Sequence, residues 1–208
     1  MVKKMRTDTR SQRFDVKRQE VLRGAGRVFA RLGFHTSSLN DVGAELGMTA
    51  AALYYYAKSK DELLNDCRKL ALVAIDQALE DAKTRGANGL DSLRIFFHQY
   101  AEVVCSDFGR CLVGIQIGDL QQRLRKAARA RQQAIRKEVQ ALICAGITDG
   151  SIRACDDLLV ASLLFGSFNH LTKWWSPKGA VPLETVASTF LDTLAGGIGT
   201  TPSGRNKS

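Results

Sequence analysis

Three consecutive tyrosines, Tyr54, Tyr55 and Tyr56, follow an alanine run, Ala50, Ala51 and Ala52, and precede a lysine, Lys60. Phenol hydroxyls and an ammonium are donors suited to phosphate oxygens. Small side chains beside them let a backbone come close to a partner surface. Adjacent residues cannot share one helix face, so at least one tyrosine is expected to pack inward while the others project. Ser37 and Ser38 lie upstream, beside what reads as a helix start, where free backbone amides favour anions. Each tyrosine alone is ordinary core or rim. The set, with Lys60 and helix caps in place, points to contact with nucleic acid.

The elements that would hold these groups are short and well marked. Ser38 and Asp41 have the spacing of a capping box, predicting a helix over Leu39–Leu46 that Gly47 breaks. Met48 follows as an apolar plug, and Thr49 is a fitting N-cap for a helix from Ala50 to about Tyr56. Ser59 and Glu62 open a fourth helix that runs to about Lys83. Upstream, Val21, Leu22, Ala25, Val28, Phe29 and Leu32 share one face of a helix over Asp15–Leu32. Gly24 and Gly26 inside it suggest a closely packed neighbour, and Gly33 ends it. Two short helices across Gly47-Met48-Thr49 have the spacing of a helix-turn-helix.

The rest of the chain sets limits. Its 208 residues are 45% hydrophobic with only 3 prolines, and helical periodicity dominates, so the fold class is all-α. Further helices are expected over Asp91–Ser106, Cys111–Leu120 after an Asp107-Phe108-Gly109 turn, Gln121–Cys144 before a break at Gly146, Cys155–Trp175 and Leu183–Leu194. The predicted organisation is a basic flexible arm over residues 1–16, a helix-turn-helix domain over 17–64, a larger helical ligand-binding and dimerisation domain over 65–196, and a frayed tail over 197–208. A net charge of +9 favours polyanionic partners without choosing among them. The five cysteines are widely spaced without a Cys-x-x-Cys pair, which fits reduced thiols in a cytoplasmic protein better than disulfides or zinc. The three histidines, His35, His98 and His170, lack metal-ligand spacing. No nucleophile–base order or phosphate loop suggests an enzyme or a cofactor. No apolar h-region suggests a secretory signal, and no apolar run is long enough to cross a membrane.

The stretch Arg18–Leu64 resembles the N-terminal domain of TetR-type repressors. The resemblance rests on Phe29, Gly33-Phe34, Ser37-Ser38, Asp41-Val42, Leu46-Gly47-Met48-Thr49, Leu53-Tyr54-Tyr55-Tyr56 and Lys58-Ser59-Lys60-Asp61-Glu62-Leu63-Leu64. It implies that Ser37 and Ser38 match phosphate contacts, and that Thr49 and Ala50 match the start of a recognition helix. Tyr55 and Tyr56 match outward contacts, Tyr54 a partly inward position, and Lys60 a phosphate-binding lysine. Three residues depart from the family pattern: Ala57 stands for the usual Phe, Gly43 for a common Ala and Ala51 for a frequent Gly. The alanines leave few long side chains for base reading, so direct readout is expected to be modest.

The resemblance also implies a homodimer on a near-palindromic DNA operator, released by a small-molecule effector. Candidate effector contacts are Phe96, Phe97, Tyr100 and Val104, with Leu112, Ile115, Phe165 and Asn169. The final two helices resemble the family's dimer interface, with Leu159, Leu163, Phe168 and Leu171 on one and Phe190, Leu191 and Leu194 on the other. The stretch Asn169–Gly179 resembles members that respond to acyl-coenzyme A or other hydrophobic ligands. Arg123, Arg125, Lys126, Arg129, Arg131, Arg136 and Lys137 crowd one helix, as a solvated face or as partners of coenzyme A phosphates. Two other readings stay open: a redox-responsive regulator acting through Cys105 or Cys111, and a module for acidic membranes or proteins.

Overall fold

In a computed structural model described over residues 2–198, with side chains over 11–197, the chain is helical. Among the described residues it forms α1 (Val2–Leu32), α2 (Leu39–Leu46), α3 (Ala50–Tyr54), α4 (Lys60–Arg85), α5 (Gly89–Cys105), α6 (Asp107–Val113), α7 (Gln122–Asp149), α8 (Asp157–Trp174) and α9 (Leu183–Ile198). A 3-10 turn, Ile117–Asp119, precedes α7. The expected tail lies outside the described residues from 199 onward; α9 continues through Gly197.

The chain divides into two compact units. The first holds residues up to Leu72 together with Ser106–Gln121; the second holds Val73–Cys105 and the chain from Gln122. The first half of α4 belongs to one unit and its second half to the other. The first unit therefore exceeds the predicted 17–64 domain and recruits α6, which is distant in sequence.

In the first unit, α1 packs on α2 and α6. Val21, Leu22, Ala25, Val28 and Phe29 are buried, as their spacing predicts, and Leu32 is 44% exposed. The two α1 glycines mark close neighbours. A Cβ on Gly24 would lie 2.7 Å from a Leu46 methyl, and one on Gly26 would lie 2.7 Å from the Asp107 carbonyl oxygen. Residues 1–16 were expected to be an arm, but α1 begins at Val2. The stretch has no proline, and Lys, Arg, Met and Gln are strong helix formers, so helicity needs no buried face. Asp107, Phe108 and Gly109 form the start of α6 rather than a turn, because Ser106 caps it: its Oγ accepts the Gly109 N–H at 3.1 Å.

In the second unit, α5 packs against α7, α8 and α9. Its core holds Phe96, Phe97, Val139, Ile143, Leu164, Phe168 and Leu191. The α7 helix runs through Gly146, where a break was expected, to Asp149.

Candidate nucleic-acid interface

The helix-turn-helix forms where the caps place it. Ser38 Oγ accepts the Asp41 N–H at 3.2 Å, and Asp41 Oδ2 accepts the Ser38 N–H at 2.7 Å. Hydrogen bonds from the Ser38 side chain, then from its backbone, hold the Asp41 carboxyl below its ordinary pKa. Gly47 has φ 61° and ψ 32°, the left-handed conformation the turn requires. Its neighbour Met48 donates to the Gly43 carbonyl at 2.8 Å. A Cβ on Gly43 would lie 2.6 Å from the Met48 carbonyl, so the methyl of the family's usual alanine has no room. Thr49 caps α3 by accepting the Ala52 N–H at 3.2 Å, which uses a lone pair of the hydroxyl and not its proton.

This frame presents α3. Leu53 and Val42 are buried between the helices, and the half-buried Ala50 is followed by exposed Ala51 and Ala52. Ala57, which stands for a usual phenylalanine, is buried. Tyr54 is 58% exposed and Tyr55 63%. Tyr56, not Tyr54, is the partly inward ring: it is half-buried and stacks on Phe14 at 5.3 Å. The difference follows from spacing: Tyr56 stands three residues after the buried Leu53, on the same helical side, and Tyr55 keeps the right-handed helical conformation between them.

Two expected phosphate contacts are turned into the fold. Ser37 is buried, and its Oγ donates to the Phe34 carbonyl at 3.0 Å. Lys60, half-buried, donates from Nζ to the carbonyls of Phe34 at 2.6 Å, Ser37 at 2.7 Å and His35 at 3.4 Å. The same ammonium lies 4.5 Å from the centre of the Phe34 ring. An ammonium has three protons, and three carbonyls occupy them. Lys60 thus ties the α1–α2 connection together and contributes its positive charge from there. Lys60→Ala is expected to lower the stability of the first unit by about 2 kcal/mol, as loss of charged hydrogen bonds does, read as a drop in melting temperature.

The expected effector contacts fall in both units. Phe96, Phe97, Tyr100 and Val104 on α5 are buried; Phe165 and Asn169 on α8 are half-buried. Tyr100 Oη donates to Asn169 Oδ1 at 2.7 Å, and burial pushes the phenol pKa up. Phe97 lies 5.5 Å from Phe165 and 4.9 Å from Phe168. Leu112 and Ile115, both half-buried, belong to the first unit.

The expected dimer residues separate into three groups by exposure. Leu159 is 66% exposed and Leu163 56%. With Gly166, His170 and Trp174 they make one exposed face of α8 at steps of four, three, four and four. Phe168, Leu171 and Leu191 are buried within the chain itself and have no surface to offer a second copy. Their side of α8 and α9 packs against α5. Phe190 and Leu194 are half-buried.

A residue that the sequence reading missed is Arg68. It is 8% exposed and donates to the carbonyls of Cys111 at 3.1 Å and Leu112 at 2.9 Å, near the C-terminal end of α6. Burial lowers its pKa, and the negative end of the α6 dipole answers its charge. No motif marks it. Cys67 and Cys111 are buried in the same unit, and a hydrogen bond from the Cys67 thiol to Cys111, with burial, pushes the Cys67 thiol pKa far up. Among the described residues no group of three His, Cys, Asp or Glu gathers as metal ligands would.

The model for tetracyclin repressor-like C-terminal domains matches residues 86–198, and that for bacterial regulatory proteins of the tetR family matches residues 21–67. The chain belongs to the TetR family. This TetR-family chain is a DNA-binding transcriptional regulator, an all-α protein with an N-terminal helix-turn-helix and a helical C-terminal domain. It is 26% identical over 204 residues to the HTH-type transcriptional repressor KstR2 of Mycolicibacterium smegmatis, covering 93% of this chain and 96% of that protein. The solved structure of the ketosteroid transcriptional regulator KstR2 of Mycobacterium tuberculosis aligns with a TM-score of 0.82 at 22% identity, over 89% of this chain and 96% of that one. AibR, solved in complex with isovaleryl coenzyme A and operator DNA, aligns with a TM-score of 0.74 at 20% identity, over 85% and 96%. At these identities the two structures speak for the fold.

Proposed function

We propose that this regulator is a homodimeric repressor that grips a near-palindromic operator through α3 and leaves it when a hydrophobic, acyl-coenzyme A-like ligand binds. The observation that carries the DNA reading is the face of α3: capped by Thr49, made of small alanines and flanked by exposed Tyr54 and Tyr55. Thr49, Ala50, Tyr54 and Tyr55 are its contacts, with Ser38 at the start of α2. Tyr56 and Lys60 act from behind, and Ser37 holds the loop.

Dimerisation is supported by the exposed stripe Leu159, Leu163 and Trp174 on α8, an apolar surface that a second copy of this chain would cover. Two reading heads about 34–36 Å apart meet successive major grooves. An acyl-coenzyme A-like effector is supported by the exposed basic residues Lys126, Arg129 and Lys137 on α7, which suit phosphates, and the fold is one that AibR, solved with isovaleryl coenzyme A, also has.

One titration tests this reading. A labelled duplex recovered by the protein from a random-sequence pool is bound at rising salt, then at fixed salt with isovaleryl coenzyme A. The logarithm of the affinity is expected to fall linearly with the logarithm of salt, by about 0.9 for each phosphate neutralised. Added ligand is expected to release the duplex. Salt-insensitive binding, or retention of the duplex at saturating ligand, would count against the respective half of the proposal.

A further inference from the structure

Three aromatic rings from distant parts of the sequence meet beside α3. Phe14 on α1 stacks nearly parallel on Tyr56, with ring centres 5.3 Å apart and planes 22° apart. Tyr55 stands edge-on to both, 5.4 Å from Phe14 at 82° and 5.1 Å from Tyr56 at 89°. The three centres close a triangle. Each such pair contributes roughly 0.5–1.5 kcal/mol beyond the area it buries.

The backbone alone does not hold these tyrosines. The last residue of α3 is Tyr54, so Tyr55 and Tyr56 lie in the turn that follows, where Tyr56 N–H donates to Leu53 O at 2.8 Å. Tyr55 is 63% exposed. An exposed side chain on a turn samples several rotamers, and fixing it on binding costs roughly 0.5–1.5 kcal/mol. A ring already clamped at its edge is spared much of that. Phe14 is the aromatic residue in an otherwise polar run, Ser11–Glu20, whose other apolar side chain, Val16, is 63% exposed. Phe14 is half-buried because it touches the tyrosines.

We propose that Phe14 is a positioning residue for DNA recognition: its ring fixes Tyr56, and through both rings the orientation of Tyr55, before the duplex arrives. The N-terminal stretch of α1 thereby becomes part of the reading head without touching DNA through Phe14. This rests on the reading that Tyr55 contacts the duplex.

The test is a thermodynamic cycle on a duplex recovered by the wild-type protein from a random-sequence pool. Phe14→Ala is expected to weaken binding about fivefold to tenfold, one to two aromatic pairs' worth of orientation. In a Tyr55→Ala, Tyr56→Ala background the same change is expected to cost less than about twofold, because no ring is left to orient. Phe14→Trp, which restores a stacking face, is expected to recover most of the loss. Melting temperatures are recorded for every variant, and Phe14→Leu, which keeps bulk without a ring, carries the same comparison should Phe14→Ala fail to fold. An equal loss in both backgrounds would make Phe14 a structural residue only and overturn the proposal. So would tight binding by Phe14→Ala while the double tyrosine variant binds poorly, and in that case the contact reading would survive. Undiminished binding by the double tyrosine variant would instead sink the contact reading, and the positioning role with it.

Discussion

Ala51→Glu is expected to weaken duplex binding about 100-fold, or ~2.7 kcal/mol, while leaving the melting temperature within about 2 °C of the parent. Ala51 is exposed in the first turn of α3, on the side proposed to enter the groove. A carboxylate there would be pressed among phosphate oxygens, where like charges repel and no counterion is released. The fold is expected to tolerate the change. Glutamate is a good helix former, and an acidic group in the first turn is favoured by the positive end of the helix dipole. The control is Ala154→Glu, an exposed position in the second unit that alters net charge by the same amount. It is expected to cost less than about twofold, since a distant exposed charge is largely screened. Fluorescence anisotropy at moderate salt reads both. Equal affinities for the two variants would mean that α3 does not face the duplex.

Gly89→Ala has the largest expected effect on stability. Gly89 opens α5, and its N–H donates to Asp149 Oδ2 at 2.7 Å. A methyl there would meet the backbone N and Cα of Gly146 within any real contact distance, and the Leu142 carbonyl oxygen at 2.8 Å. These are backbone atoms of α7, which cannot rotate aside as a side chain does. Separating α5 from α7 disturbs a helix pair on which the core of the second unit is built. We expect a loss of about 3 kcal/mol, the upper part of the overpacking range, and a melting temperature lower by about 10 °C. Gly146→Ala is expected to be milder, because its Cβ would meet the side chain of Ile152, which can shift. Differential scanning calorimetry separates the two; a harmless Gly89→Ala would mean that α5 and α7 have slack at this crossing.

What was readable in the sequence was what local chemistry decides. Ser38, Asp41, Gly47 and Thr49 act on backbone groups within four residues of themselves, and the bounds of α2 match them. The start of α1 was not readable, because periodicity reports which face is buried and not the helix propensity that Lys, Arg, Met and Gln carry there. The α6 start was misread because an Asp-Phe-Gly sequence suits a turn as well as a capped helix. On α8 apolar residues fall on more than one side of the helix, so the sequence shows that two sides want cover but not which side the chain covers itself. Rotation of α8 against α5 and α7 decides that, putting Phe168 and Leu171 inside and Leu159 and Leu163 outside. At the candidate site, the exposure of Tyr55 was anticipated. The employment of Lys60 on three carbonyls was not, because those acceptors come from a loop some two dozen residues away.

The brevity of α2 and α3, eight and five residues, has a consequence of its own. Helices in water need roughly 12–15 residues to hold by themselves. The recognition element therefore has no shape of its own to lend: cut out as a peptide it is a coil, and it becomes a reader only while Val21, Leu22 and Phe29 of α1 lie beneath it. Grafting the specificity of this regulator onto another protein means carrying α1 along, Phe14 included.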